Sequence, residues 1–299
     1  MDTRFSRIGL VGRYEDALVA DSMSIFAAHL LGKGIEVLVD AAAGDTCLPA
    51  GVTRVAADDL SARADLIVAV GGDGTMLFAA QMAIGRSVPL LGINRGRLGF
   101  LADVSPAEMT TSFDAVLDGY YTEDVRALLS ARLERPGMEA LSCDALNDVV
   151  IQKYETGRMV ELETWIGNAF VNTHGGDGLV IATSTGSTAY ALSCGGPIIH
   201  PRLDALVLAP ISPHTLSDRP IVVGRESEIE VRLAKRSPTR AQVTFDGSVL
   251  GDLDHGGRLS VGAARQSVTL LHPVGHDFFR ILRSKLHWGR SARNPDDGA

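Results

Sequence analysis

The sequence is short of the features that mark several large protein classes. Its three cysteines, Cys47, Cys143 and Cys194, are widely spaced and include no C-x-x-C pair. That argues against a disulfide framework or a zinc site and leaves reduced thiols. The eight histidines include no H-E-x-x-H. Positive charge is in deficit, with 28 basic side chains against 36 acidic ones and a formal charge of −8. A nucleic-acid binder instead carries a basic face. No segment approaches the ~20 apolar residues that a membrane helix needs. The apolar run within MDTRFSRIGLVGRYED is too short for a signal peptide. These absences point to a cytoplasmic protein with neither a membrane nor a nucleic-acid partner. Glycine is what the chain has in excess: 32 of 299 residues, about 11% against a usual ~7%. Without low-complexity repeats, such enrichment marks tight turns and backbone that must approach something closely.

At about 150 residues per domain, the length allows one large domain or two ordinary ones, and 45% hydrophobic with 21% charged residues is a globular composition. The first third alternates two periodicities. Arg7–Gly12, Ile35–Asp40, Asp65–Val70 and Val88–Asn94 read as apolar strands, as expected of a parallel sheet covered on both faces. Between and beyond them, helices are expected over Asp16–Leu31, Thr75–Ile84 and Ser105–Leu117. The first places Leu18, Ser22, Ile25, Phe26, His29 and Leu30 near one stripe, and the last opens on a Ser105/Glu108 capping box. This alternation predicts an open, mostly parallel α/β sheet. After about Tyr121 helical periodicity becomes sparse. Leu128–Glu134, Asp148–Lys153, Val160–Ile166, Ile229–Leu233 and Gln242–Phe245 favour short strands between turns rich in Gly, Asp, Asn and Pro. Asp277–Leu286 reads as a helix that packs back on the first domain, and Asn294–Ala299 as a frayed tail. The expected architecture is therefore α/β plus β. It places a Rossmann-like domain at 1–120, a β-rich, β-sandwich-like domain at 121–275, and a C-terminal helix and tail at 276–299.

The sharpest local feature is AVGGDGTML, Ala69–Leu77, where an apolar strand runs directly into Gly71-Gly72-Asp73-Gly74-Thr75 and then a helix. Glycines there lie at the carboxyl end of a parallel strand, where open α/β sheets bind ligands. Unobstructed backbone amides and the positive end of a helix suit a phosphate. A carboxylate among phosphate oxygens needs another task. Asp73 suits a general base for an attacking hydroxyl, or an indirect ligand of a phosphate-bound divalent metal. Alternatively it is the N-cap of the next helix. No G-x-x-x-x-G-K-[ST] occurs, and the first strand ends in Gly9-Leu10-Val11-Gly12-Arg13 without G-x-G-x-x-G. Asp40, which closes the second strand where a dehydrogenase holds a ribose, therefore reads as a solvated strand end.

A second constellation, DGLVIATSTGSTAYALSCGGP, spans Asp177–Pro197. Thr183, Ser184, Thr185, Ser187 and Thr188 crowd hydroxyls around Gly186. Tyr190 and a Gly195-Gly196-Pro197 turn follow. Hydroxyls and amides of this kind hold a ribose, an amide or phosphate oxygens, and Tyr190 can stack on a base; the same composition also suits an ordinary loop. Asn147-Asp148, at a strand start, suits an Asx-turn or a ribose diol whose two hydroxyl protons Asp148 accepts.

Taken together, Gly71–Thr75, Asn94–Phe100 (NRGRLGF), Asn147-Asp148, Asp177–Tyr190, Gly195–Pro197, Leu208–Val223 and the terminal FFRILRSKLHW resemble the bacterial NAD kinases over nearly the whole chain. The resemblance implies transfer of the ATP γ-phosphate to the adenosine-ribose 2′-hydroxyl of NAD, giving NADP. It also implies a homodimer or homotetramer. By the same resemblance Asp73 is the proton acceptor and contacts NAD with Gly74, while Gly71, Gly72, Gly74 and Thr75 form the phosphate loop for ATP. Asn147 and Asp148 hold nucleotide ribose. Gly175, Asp177, Thr185, Ser187, Thr188, Ala189, Tyr190, Ala191, Leu192 and Ser193 line the NAD pocket, with Arg158 and Gly247 as further binding positions. Where the family usually reads Asn-Glu this chain has Asn147-Asp148, and Ser184 stands where it usually has proline. His174-Gly175-Gly176 occupies a stretch where members often carry a basic residue. No dedicated metal cage is visible, so Mg²⁺ is expected to arrive mainly on the nucleotide phosphates. Arg95, Arg97 and Arg219 are candidates to offset the acidic charge near two polyanionic substrates. A lipid or sugar kinase with a G-G-D-G-T loop, and a non-catalytic dinucleotide sensor, are the alternatives.

Overall fold

The structure, a computed structural model, describes residues 5–41, 48–96, 99–155 and 157–288. Arg97, Cys47 and the expected tail lie outside these residues. The chain divides into two compact units, one formed by residues up to Asp124 with those from Thr269 onward, the other by Val125–Val268.

In the first unit, β1 (Arg7–Gly12), β2 (Glu36–Asp40), β3 (Thr53–Val55), β4 (Leu66–Gly71) and β5 (Leu90–Asn94) form a parallel sheet ordered β5-β4-β1-β2-β3. β4 and β5 are buried along their whole length, which is why their sequences are continuous apolar runs rather than alternations. Three-residue β3 and seven-residue α2 (Ala57–Arg63) were not anticipated, being too short to show a period. Helix α1 (Ala17–Gly32) is capped by Asp16, whose carboxylate accepts from the amides of Leu18 and Val19. Its buried stripe is Val19, Ser22, Met23, Phe26, Ala27 and Leu30. The expected stripe is therefore corrected by a rotation, with Leu18 and Ile25 more than half exposed. Val19, Met23, Phe26 and Leu30 hold the stricter i, i+4, i+7, i+11 spacing. Helix α3 (Asp73–Ala83) follows β4 directly. Helix α4 (Met109–Leu117) begins later than its capping signature suggests. The Ser105 hydroxyl bonds the Glu108 carboxylate at 2.7 Å, so the box closes side chain to side chain and residues 105–108 stay a turn.

The second unit is built almost entirely of antiparallel strands. After β6 (Tyr121–Glu134), which starts in the first unit, come β7 (Leu141–Ala145), β8 (Asp148–Lys153), β9 (Val160–Ile166), β10 (Ala169–Gly176) and β11 (Gly178–Thr183). The four-residue α5 (Tyr190–Ser193) precedes β12 (Ala205–Ile211), β13 (Ile221–Gly224), β14 (Ile229–Leu233), β15 (Ala241–Phe245), β16 (Ser248–Leu253) and β17 (Arg258–Pro273). One sheet runs β13-β12-β11-β8-β15-β16; the other runs β10-β9-β14-β17, with β6 joining β17 and β7. Leu129, Leu133, Val149, Ile151, Leu162, Leu179, Val231 and Leu259 form one buried cluster drawn from both sheets, the β-sandwich arrangement. The last residues of β17 belong to the first unit, where Leu270 pairs in parallel with Leu90. Helix α6 (Phe278–Leu286), capped by Asp277, also belongs to the first unit. Among the described residues no helix is long and apolar enough to cross a membrane.

Candidate active site

The order of the parallel sheet decides where a ligand fits the first unit. From β1 the chain builds outward to β2 and β3, then resumes on the other side of β1 with β4 and β5. Such a reversal opens a crevice at the carboxyl ends of the two central strands. A cavity of about 280 Å³ lies there, lined by Gly71, Gly72, Gly74, Thr75, Asn94–Gly96 and Arg13. No side chain caps the start of α3, so first-turn amides that lack intrahelical partners are left for an external acceptor. Arg95 is anchored in the wall by a 2.8 Å bond from its Nε to the Leu18 carbonyl. With Arg13 it supplies local positive charge in a chain that is acidic overall.

Asp73 is not the cap of α3; Gly72 holds that position. The Asp73 carboxylate instead reaches the segment after β5, accepting from the amides of Phe100 at 2.9 Å, Leu101 at 3.0 Å and Ala102 at 3.4 Å. Lys285 of α6 places Nζ 3.6 Å from Asp73 Oδ2 and 4.5 Å from the Phe100 ring centroid. Gly99 is required by this approach, since a Cβ there would stand 2.0 Å from Asp73 Oδ1. A carboxylate has roughly four lone-pair sites. Three amides thus fix its orientation and leave capacity for a hydroxyl proton, and the side chain is 31% exposed.

In the second unit a turn brings the other candidates together. Asp246 accepts from the amides of Leu146 (2.7 Å), Asn147 (2.8 Å) and Asp148 (3.2 Å). Asp246 and Gly247 make the two-residue turn between β15 and β16. Asp148 is 6% exposed. Burial first, and the neighbouring Asp246 charge second, push its carboxyl up to about 7. The hydroxyl loop packs against the same strand start. Thr183 Oγ1 donates to the Leu146 carbonyl at 2.6 Å and accepts from the Gly186 amide at 3.0 Å. A Cβ on Gly186 would lie 2.0 Å from the Asn147 carbonyl oxygen. Tyr190 is 37% exposed. Burial, then the charges of Cys194, Asp177 and Asp148, push its hydroxyl up. Asp177 is ion-paired to Lys153 at 2.6 Å.

The hydroxyls of the loop are largely spent on the loop itself. Ser187 has no exposed surface; its hydroxyl donates to the Ser184 carbonyl at 2.7 Å and accepts from the Ile199 amide at 2.9 Å. Thr188 bonds the Thr185 carbonyl, and the buried Arg126 holds Thr185 Oγ1. Ala191 is likewise fully buried. Ser187 and Ala191 therefore shape the loop from beneath, whereas Thr188, Ala189, Tyr190, Leu192 and Ser193 keep exposed surface. Gly175 accepts from the His214 amide. His174 is buried between Asp218, 2.7 Å from Nδ1, and the Gly178 carbonyl, 2.9 Å from Nε2. Arg158, well exposed, faces Glu155 at 3.5 Å and the Pro238 carbonyl. No contact among the described residues joins it to Asn147-Asp148. Arg219 donates to the Asp218 carbonyl and, within the second unit, lines a small cavity with Asn172, His174 and Pro210. Sequence reading missed Asp246, Arg13, Arg126 and Lys285. An Asp-Gly pair between two strand-like runs was the available signal for Asp246.

Comparison with known proteins decides the family. Residues 8–121 match the ATP-NAD kinase N-terminal domain, and residues 146–272 the ATP-NAD kinase C-terminal domain. The chain belongs to the ATP-NAD kinase family. It is 42% identical over 286 residues to an NAD kinase of Nitrosococcus oceani, covering 96% of this chain and 98% of that protein. To an NAD kinase of Pseudomonas putida it is 40% identical over 294 residues, 98% of this chain and 99% of the other. Its fold is shared with yeast NADH kinase complexed with NADH, at TM-score 0.88 and 24% identity over 98% of this chain and 93% of that one. An NAD kinase from Archaeoglobus fulgidus in complex with ATP gives TM-score 0.72 and 26% identity over 94% and 98% of the two chains. Membership makes the chain a phosphotransferase. NAD kinases generally use a divalent metal, and the donor set here fits a cation that arrives on a nucleotide. At the glycine loop it is amides, the Thr75 hydroxyl and the Asp73 carboxylate, too few oxygens for an all-protein cage.

Proposed function

We infer that the chain transfers the γ-phosphoryl group of ATP to the 2′-hydroxyl of the adenosine ribose of NAD, giving NADP and ADP. The observation that carries this reading is the glycine loop at the strand-order reversal, with Asp73 oriented by three amides beside an arginine-lined cavity. Gly71, Gly72 and Gly74 with the positive end of α3 bind triphosphate oxygens, and Arg13 and Arg95 offset their charge. Thr75 binds through its hydroxyl, because its amide donates to the Gly72 carbonyl at 3.0 Å. Asp73 accepts the 2′-hydroxyl proton as that oxygen attacks the γ-phosphorus and the bond to ADP breaks. Positioning and charge neutralisation supply most of the acceleration in such transfers. Mg²⁺ is the divalent ion of this reading; when bound it would neutralise triphosphate charge, with the Asp73 carboxylate as its indirect ligand.

Asn147 and Asp148 hold the ribose of NAD. Asp177, Thr188, Ala189, Tyr190, Leu192 and Ser193 line its pocket with Gly175 and Gly247, while Thr185, Ser187 and Ala191 set the shape of the loop. Arg158 contributes least, being paired on its own turn. In this reading the α/β unit binds phosphates and the β unit binds the nucleotide, and the enzyme acts in the cytoplasm as a homodimer or homotetramer. Incubating the purified chain with NAD, ATP and Mg²⁺, and reading NADP with an NADP-specific dehydrogenase, tests the reading. ATP-dependent NADP formation is expected. No NADP, with phosphorylation of diacylglycerol or fructose 6-phosphate instead, would overturn it.

A further inference from the structure

Asp103, His272 and His276 meet within the first unit, in a cluster the phosphoryl-transfer reading does not use. Asp103 follows the Phe100–Ala102 segment, His272 lies near the end of β17, and His276 precedes α6. Both imidazoles turn Nδ1 toward one oxygen, Asp103 Oδ2, His272 at 3.1 Å and His276 at 2.5 Å. Their rings stack, with centroids 3.8 Å apart and planes 19° from parallel. The three side chains are 11%, 2% and 15% exposed, in the order Asp103, His272, His276, and one ligand atom from each lies within 4.8 Å of the others.

Two observations go beyond a hydrogen-bonded pair of histidines. Asp103 Oδ1 is buried without a hydrogen-bond partner, a costly state that a metal ion or second donor relieves. Behind His272, Nε2 faces Asp124 Oδ2 at 3.5 Å. A carboxylate on the far nitrogen is the arrangement that orients metal-ligating imidazoles.

We propose that Asp103, His272 and His276 form a binding site for one zinc-type divalent ion, ligated by the two Nδ1 atoms and the Asp103 carboxylate, with Asp124 orienting His272. Two nitrogens and a carboxylate suit borderline ions such as Zn²⁺ or Co²⁺ better than Mg²⁺. Tetrahedral ligands at about 2.0–2.1 Å from zinc stand about 3.3 Å apart. The separations to Asp103 Oδ2 are 2.5 and 3.1 Å. Entry of the ion therefore needs His276, the most exposed of the three, to swing outward by less than about 1 Å. Each Nδ1 proton leaves as the ion binds, to Nε2 of a neutral ring or to solution from a charged one, so affinity falls with falling pH. The scarcity of cysteine does not bear on this site, which uses none. Its consequence is mechanical: the ion ties the end of β17 and the entry to α6 to the segment whose amides hold Asp73. This proposal does not depend on which phosphoryl acceptor the enzyme uses.

The test is equilibrium dialysis of the chelator-stripped full-length chain against Zn²⁺ alone, with metal analysis, and Co²⁺ substitution followed by visible absorption. One Zn²⁺ per chain is expected, undisplaced by excess Mg²⁺, with Co²⁺ giving the intense bands of a four-coordinate site. His276→Ala, on a partly exposed turn, should lose the ion, and Asp124→Asn should weaken it by about 10–100-fold. Absence of stoichiometric Zn²⁺ uptake by the wild type, displacement by Mg²⁺, or an unchanged affinity in His276→Ala would each overturn the assignment. If His276→Ala does not fold, the wild-type Co²⁺ spectrum decides, weak octahedral bands counting against it.

Discussion

With Asp148 in its proposed place on the NAD ribose, NAD binding and stability should respond to pH in opposite directions. Its carboxyl is buried beside Asp246 and titrates at about 7 rather than 3.8. Ionised, it accepts protons from both hydroxyls of a ribose diol; protonated, it keeps one oxygen occupied. About a tenth is ionised at pH 6 and about nine-tenths at pH 8, so KM for NAD should fall about ten-fold between them, or roughly 1.4 kcal/mol. Stability runs the other way. The native state keeps a proton that the unfolded state has already lost between about pH 4 and 7, so ΔG of unfolding falls across that window. About three pH units give an upper limit of about 4 kcal/mol, recovered in full only below the ordinary carboxylate range. Asp148→Asn removes the penalty. It should raise Tm more at pH 8 than at pH 5, at roughly 2–4 °C per kcal/mol, and flatten the KM profile. Steady-state kinetics in NAD at saturating ATP and calorimetry at both pH values measure the two effects. A wild-type KM for NAD that is flat from pH 6 to 8, or a slope that persists in Asp148→Asn, would refute the assignment.

Other perturbations separate loop architecture from ligand contact. Gly186→Ala drives a Cβ into the Asn147 backbone, 2.0 Å from its carbonyl oxygen; overpacking of this kind costs about 1–3 kcal/mol. A lowered Tm and a raised KM for NAD are expected, and wild-type values of both would contradict the packing argument. Ser187→Ala leaves the Ile199 amide without its acceptor, costing about 1–3 kcal/mol, and should lower the denaturant midpoint while kcat at 25 °C stays near wild type. Arg95→Ala removes a charged donor from the cavity wall, and bonds to charged groups are worth about 1.5–3 kcal/mol. KM for ATP should rise by at least ten-fold with KM for NAD little changed; an unchanged KM for ATP removes Arg95 from phosphate binding.

How much of this was legible in the sequence depended on the range of the forces involved. β1, β4 and β5 announce themselves because a buried parallel strand must be apolar throughout, and the GGDGT loop because glycine at a strand end has few other uses. The stripe of α1 was misplaced because Leu18 and Ile25 are apolar and yet face outward, and only the sheet decides which stripe is buried. Asp73 looked like a helix cap or a base. That its carboxylate is held by amides 27–29 residues away is a tertiary fact with no local signature. The hydroxyl row of Thr183–Thr188 was visible, but not that Ser187 is consumed inside its own loop. Asp246 acts on Asp148 from about 98 positions along the chain, beyond any spacing rule.

The most direct measurement is the turnover of Asp73→Asn. The side chain keeps its shape and can still accept from the Leu101 and Ala102 amides, while the amide end meets the Phe100 N–H without accepting it. Some stability is therefore lost, and thermal unfolding must first confirm a folded variant. A positioned general base contributes about 10²–10⁴ in rate. kcat for NADP formation should fall by that factor, with KM for NAD nearly unchanged. A folded Asp73→Asn enzyme that keeps more than about a tenth of wild-type turnover would show that Asp73 orders the loop without accepting the proton.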